Sequence, residues 1–171
     1  MAAATVNYTG SATITISPAS LATSSTRTAG VESDVVSNIS TKYVDVLVSG
    51  KITTGTSPTV SKQIDIWVYA PISDDLSSSV SYPDVLDGTG SAETITSENV
   101  RNAAMRPAAT IVVDSISDRT YPVAPFSVAA LFGGVMPPRW GLFIAHDTGV
   151  NLNSTSGNHA FSFIGVKFDI A

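Results

Sequence analysis

An all-β fold, a single antiparallel β-sandwich of about eight strands with jelly-roll-like character, is predicted by three observations. Charged residues make up only 13 % of the 171-residue chain, against about 25 % in ordinary soluble domains, so Ser and Thr hydroxyls must meet much of the solvent. The apolar segments are rich in Val, Ile, Thr and aromatic residues, which favour pleated strands. Alternation of period two recurs along the chain, and Gly, Pro, Asn and Ser separate the alternating segments. At 17.7 kDa the chain suits one domain able to bury a core without staples. The organisation expected is a loosely held, flexible N-terminal arm over 1–10 and a sandwich over 11–171.

After the arm, Ala12, Ile14 and Ile16 alternate with Thr13, Thr15 and Ser17, a half-buried strand that Pro18 stops. Residues 19–30 carry Arg27 as their only charge and read as a loop or edge strand. Residues 32–39 predict a short strand centred on Val35 and Val36. The pattern is clearest next, where Val44, Val46, Val48 and Ile52 share one face and Tyr43, Asp45, Ser49 and Lys51 the other. After a turn at 54–57, Ile64, Ile66 and Val68 face one way and Gln63, Asp65, Trp67 and Tyr69 the other. The two segments read as a long antiparallel hairpin.

Residues 71–94 form an irregular loop with a short strand near 80–82. A helical turn is expected to start at Ser97, with Glu98 suited to its positive end. A β-branched strand covers 108–116, and Asp118-Arg119-Thr120 makes the next turn. In 126–132 the alternation of Phe126, Val128, Ala130 and Phe132 predicts a strand, and Gly133-Gly134 and Pro137-Pro138 confine the connection after it. A strand over 139–146 gathers Trp140, Leu142 and Ile144. The last strand switches parity: Phe161 and Phe163 share one face, whereas Ile164, Val166, Phe168 and Ile170 share the opposite one. Either a bulge falls near 163–165 or both faces are buried there.

Composition excludes several function classes. A net charge of −5 with scattered basic residues argues against nucleic acid as a partner, since phosphate binding needs clustered Lys and Arg. The absence of cysteine removes disulfides, thiolate metal sites and a Cys nucleophile. No stretch approaches the roughly 18 apolar residues of a membrane span, and residues 1–20 lack the basic and apolar regions of a signal peptide. The expectation is a soluble protein made in a cytoplasm.

No enzymatic activity and no cofactor are expected. There is no Gly-x-Ser-x-Gly elbow and no Gly-rich phosphate loop. His146, Asp147 and His159 flank one hairpin, where a metal cluster competes with a plain structural role. Asp84, Asp87 and Gly88 lack the spacing of a calcium loop, because Val85 and Leu86 occupy ligand positions. The residues singled out for contact are aromatic. If Ile64, Ile66 and Val68 face the core, Trp67 and Tyr69 stand outside beside Asp65 as a protein-contact surface, or else further loops of the same molecule cover them.

Two blocks carry a family signal: TAGVESDVVSNISTKYVDVLVSGKI over 28–52, and FSVAALFGGVMPPRWGLFIAHDTGVNLNSTSGNHAFSFIGVKFDI over 126–170. Glu32-Ser33, Asn38, Tyr43-Val44-Asp45, Phe132-Gly133-Gly134, Pro137, Trp140-Gly141 and Thr148-Gly149 resemble the pattern of a family of small tailed-bacteriophage virion structural proteins. His146-Asp147 departs from it where an Asn two places before the Thr is common. The resemblance covers about two fifths of the chain. It implies a sandwich that serves as a capsid decoration or cement protein, synthesised in the host cytoplasm and carried on the virion, with the major capsid protein and copies of itself as partners. Trp67, Tyr69 and Asp65, with Val6 and Tyr8 in the arm, are then the contact candidates. The alternative is a carbohydrate-binding or tail- or neck-associated module, in which Trp67, Tyr69 or Tyr82 stacks on surface glycans.

Overall fold

Period-two segments become strands in two antiparallel sheets that share one core. The computed structural model describes residues 4–77 and 79–170. The first sheet runs in the order β1 (Ala4–Tyr8), β13 (Ala160–Ile170), β5 (Asp45–Thr53) and β11 (Thr120–Ser127), and β2 (Ala12–Ile14) continues alongside β13. The second runs β10 (Arg106–Val112), β6 (Gln63–Tyr69), β12 (Arg139–His146), β3 (Ala29–Glu32) and β9 (Ala92–Thr94), with β4 (Val36–Ser37) also on β12. A small hairpin joins β7 (Ser73–Asp74) to β8 (Val80–Ser81). Among the described residues this gives 13 strands rather than about eight. Five of them are pairings of only two or three residues, which raise the count above that of the long alternating segments.

The core lies between the sheets. Val46, Val48 and Ile52 of β5, Phe161 and Phe163 of β13 and Val123 of β11 meet Ile64, Ile66 and Val68 of β6 and Trp140, Leu142 and Ile144 of β12. Trp140 and Phe163 pack edge to face with centroids 5.6 Å apart, a geometry that aromatic quadrupoles favour.

Three sequence expectations are corrected. The segments 44–52 and 62–70 are not a hairpin: β5 pairs with β13 and β11, and β6 pairs with β10 and β12. Alternation identifies the buried face of a strand but not its neighbour, and the connection between them crosses from one sheet to the other. Residues 126–132 are not one strand. The backbone turns at Ser127, whose Oγ accepts from Ala130 N at 3.0 Å and caps α2 (Val128–Leu131), and Asp45 Oδ1 accepts from Ala129 N at 2.9 Å. Gly133 and Gly134, both at positive φ, end that turn. Third, the two faces of β13 are not both buried near 163–165, and the bulge expected there is not in β13 itself, whose register with β5 is unbroken from Ala160↔Lys51 to Val166↔Asp45. Gly165 is small because the Tyr43 ring lies over it. The extra residue sits on the partner strand: between Tyr8↔Val166 and Ala12↔Phe163, three residues oppose two, the count of a β-bulge.

The helical turn expected at Ser97 is present. α1 (Glu98–Ala104) starts with Val100 N donating to Ser97 Oγ at 3.2 Å. Of the N-terminal arm predicted over 1–10, Ala4–Tyr8 form β1, hydrogen-bonded along β13; residues 1–3 lie outside the described residues. No helix among the described residues is long and apolar enough to cross a membrane.

Candidate functional site

The outward face of β6 is covered. Trp67 is 5 % and Tyr69 0 % exposed, packed in a second cluster with Phe143 and Ala145 of β12, Met105 after α1, and Leu86 and Ile95 of the preceding loop. Asp65 is also buried. The three residues therefore form an inner layer instead of a contact surface. A strand covered by its own loops shows the same alternation as one that meets solvent, so the pattern alone leaves both readings open. The cover is α1 with the irregular 83–96 loop.

Charge is used to fasten this cover. The Arg101 guanidinium stacks over the Trp67 ring at 4.6 Å, and its Nη1 donates to Thr26 O and Arg27 O at 2.7 and 2.8 Å. Arg27 lies beside Asp65 (Nε to Oδ2, 2.7 Å) and Asp147 (Nη1 to Oδ2, 3.1 Å). Thr110 Oγ1 donates to Asp65 Oδ1, and Gln63 N donates to Asp147 Oδ1, each at 2.6 Å. Glycan stacking needs a bare ring face. Arg101 occupies that of Trp67, while Tyr69 and Tyr82 pack edge to face at 5.8 Å.

Glu32 is fully buried and serves three donors. Tyr69 Oη donates to its Oε2 at 2.7 Å, Gly88 N to Oε2 at 3.3 Å and Asp87 N to Oε1 at 3.1 Å. Burial raises its carboxyl above the ordinary value, and the three hydrogen bonds oppose that shift. Burial likewise raises the Tyr69 phenol, with Glu32 adding to the effect. The group ties β3, β6 and the 86–90 loop together.

His146 and His159 do not converge on Asp147, and no group of His, Asp or Glu among the described residues is arranged to hold a metal. His146 Nε2 lies 3.0 Å from Leu21 O, and Nδ1 lies 2.9 Å from Thr148 Oγ1. His159 Nδ1 accepts from Thr53 N at 3.4 Å while Nε2 donates to Asn153 O at 2.9 Å. Burial lowers both imidazoles below 6.5, so the folded state keeps them neutral while the unfolded chain takes up protons below that value. Their contribution to stability is present above about pH 6.5 and is lost as pH falls through 6.5 toward the lowered values. Thermal melts compared between about pH 7.5 and 5.5 should therefore show a larger loss for the wild type than for the variant His146→Asn/His159→Asn.

An open groove of about 710 Å³ runs past Ile72, Pro83, Val100, Phe132 and Val135. Asp84, the carboxylate in its lining, is already held by Thr96 N and Oγ1 at 2.7 and 2.8 Å. The groove offers shape without converging polar groups.

An apolar feature lies on the outer face of the first sheet. In the β1–β13 register Val6 stands opposite Phe168 and Tyr8 opposite Val166, and on the other side of β13 Ile164 stands opposite Leu47. Directly opposed residues of an antiparallel pair share a face, so these side chains form one apolar patch. Val6 is 54 %, Tyr8 61 %, Phe168 58 % and Ile164 37 % exposed. Of the sequence candidates, then, Val6 and Tyr8 lie together at the surface, whereas Trp67, Tyr69 and Asp65 are enclosed elsewhere. Phe168 and Ile164 are not among the contact candidates that the sequence suggests. Their signal is the parity switch in the last strand, which marks the point where β13 leaves the core and its other face carries the apolar residues.

No protein-family model, curated protein or solved structure matches the chain.

Proposed function

We propose that the chain is a structural component of a tailed-phage virion, a decoration or cement protein that binds the major capsid protein and stabilises the head. The observation that carries this reading is the patch of Val6, Tyr8, Ile164 and Phe168. Clustered apolar side chains left in water on a sheet face mark interaction sites, whereas single ones need no explanation. Support also comes from the resemblance of 28–52 and 126–170 to phage virion proteins. The buried ionisable groups Glu32, Asp65, Arg101, His146 and His159 are each spent on holding a strand or loop, as suits a protein whose work is attachment. A component that binds only the assembled shell stabilises it by mass action.

Binding to purified capsid shells tests the reading. The variant Tyr8→Asp/Phe168→Asp should lose shell occupancy in co-sedimentation while keeping the wild-type melting temperature, because both side chains are exposed. Each aspartate placed in a desolvated contact costs on the order of a tenfold loss of affinity or more. Unchanged occupancy would remove this face from the proposal, and wild-type protein that ignores shells would remove the capsid role.

A further inference from the structure

The four outer edges of the two main sheets are not treated alike. At β11 the edge carries Pro122 and Pro125 and a register break between Val123 and Phe126. At β10 it carries Arg106, Pro107 and a break between Pro107 and Ala109. β9 is three residues long and includes Glu93. Prolines, charges, bulges and brevity are the means by which edge strands avoid pairing with other chains. β1, by contrast, reads Ala-Thr-Val-Asn-Tyr with no proline or charge, and its register against β13 is unbroken.

The direction of its backbone groups is set by the register. Thr9 N donates to Gly165 O at 2.9 Å, and Val44 N donates to Val166 O at 2.8 Å. Gly165 therefore turns its polar groups toward β1 and Val166 turns its own toward β5. Counting back in twos, Asn7 and Thr5 face β13, and the N–H and C=O groups of Ala4, Val6 and Tyr8 face the open edge.

We infer that this edge pairs with the same edge of a second copy, antiparallel about a two-fold axis at Val6, to give a symmetric dimer with one continuous sheet. Centred there, Val6 faces Val6 of the second copy and Ala4 faces its Tyr8, so every outward-pointing donor and acceptor of β1 is used. A shift by two residues along the edge leaves some of them without partners. Side chains agree with this register. On the outer face one row reads Phe168, Val6 and then Val6 and Phe168 of the second copy, which doubles the apolar patch. On the inner face Asn7 stands beside Lys167 and Thr5 beside Asp169. The row formed across the axis is Lys167, Asn7, then Thr5 and Asp169 of the second copy, so each row ends in opposite charges and none sets like charges side by side. In a chain with net charge −5, this neutral edge lets two copies approach without repulsion. The inference concerns the chain alone and does not depend on a role in the virion.

Sedimentation equilibrium of the full chain over a range of concentrations tests it, with the expected result a monomer–dimer equilibrium. Val6→Pro removes an N–H that the register turns away from β13, so it should raise the dimer dissociation constant about 30-fold or more, the effect of losing two net hydrogen bonds, with little change in melting. Val6→Lys, which leaves the backbone intact and sets two ammonium groups face to face, should do the same and serves if the proline variant fails to fold. Because the chain has no cysteine, Val6→Cys is a clean third probe: mild oxidation should link it into dimers, and should not link the remote and exposed Ile72→Cys. A wild type that stays monomeric at high concentration overturns the inference, as does a dimer unaffected by Val6→Lys. Dimerisation without shell binding, or shell binding by a monomer, tells failure of the proposed function from failure of the dimer.

Discussion

Replacing Trp67 with Ser is expected to remove about 3–5 kcal/mol of folding stability, the usual cost of deleting a large aromatic from a packed interior. Against a total of about 5–15 kcal/mol for a domain, that change brings the protein close to its unfolding threshold. The reason is specific to what the ring touches. Trp67 packs on Phe143 with centroids 6.0 Å apart and offers its face to Arg101, whose guanidinium is itself buried and holds the backbone at Thr26 and Arg27. Loss of the indole leaves a void and strips Arg101 of its platform, so the α1 cover and the 24–28 loop loosen together. Urea denaturation followed by far-ultraviolet circular dichroism should show the midpoint fall sharply, with Trp67→Phe intermediate. A shift under about 0.5 kcal/mol, typical of surface positions, would return Trp67 to the outside of the molecule.

The strands legible from sequence are those long enough to alternate. Residues 45–53, 63–69 and 139–146 each show which side chains meet the core between the sheets, because large apolar residues recur on that face with a period of two. What alternation does not encode is the neighbour, and so the two strands that read as a hairpin lie in opposite sheets. It does not encode the third layer either. Residues 83–105 are polar and irregular as a sequence, yet Leu86, Ile95 and Met105 pack over the far side of β6. The short motifs within 28–52 and 126–170 owe their residue types to particular contacts. Asn38 accepts from Tyr43 N and donates to Tyr43 O, Ser33 Oγ accepts from Leu142 N, and Gly141 is glycine because a Cβ there would stand 2.5 Å from the Tyr69 ring. Val6 and Tyr8 read, in sequence, as part of a pliant arm. Their place in a surface patch depends on Phe168, more than 150 residues away in the chain, and only the strand register brings them together.

Glu32 carries the other large expected effect. Glu32→Ala leaves the Tyr69 hydroxyl and the amides of Asp87 and Gly88 without their acceptor, at about 1–3 kcal/mol for a buried group left unpaired. With the cavity added, a loss of about 3–5 kcal/mol is expected. The damage should be local first. Hydrogen exchange should quicken at Asp87 and Gly88, whose amides Glu32 holds, before the amides of β6 and β12 respond. Glu32→Gln tests the charge separately. All three neighbours point hydrogens at the carboxylate, and an amide matches them with only one oxygen, so this variant too is expected to be less stable near neutral pH. The direction of the shift sets the pH dependence. Burial raises the Glu32 carboxyl above 4.5 in the fold, so between 4.5 and that raised value the folded state binds more protons than the unfolded chain, and acidification through this window favours folding. A route for the added proton exists, because Tyr69 Oη also lies 3.3 Å from Ser33 O. The phenol can donate there and accept from the protonated Glu32. The advantage of wild type over Glu32→Gln should thus widen as pH falls through the window, opposite in sign to the effect of the two histidines. A gap that narrows on acidification would mean that the three hydrogen bonds outweigh burial and that the carboxylate is the form the fold prefers.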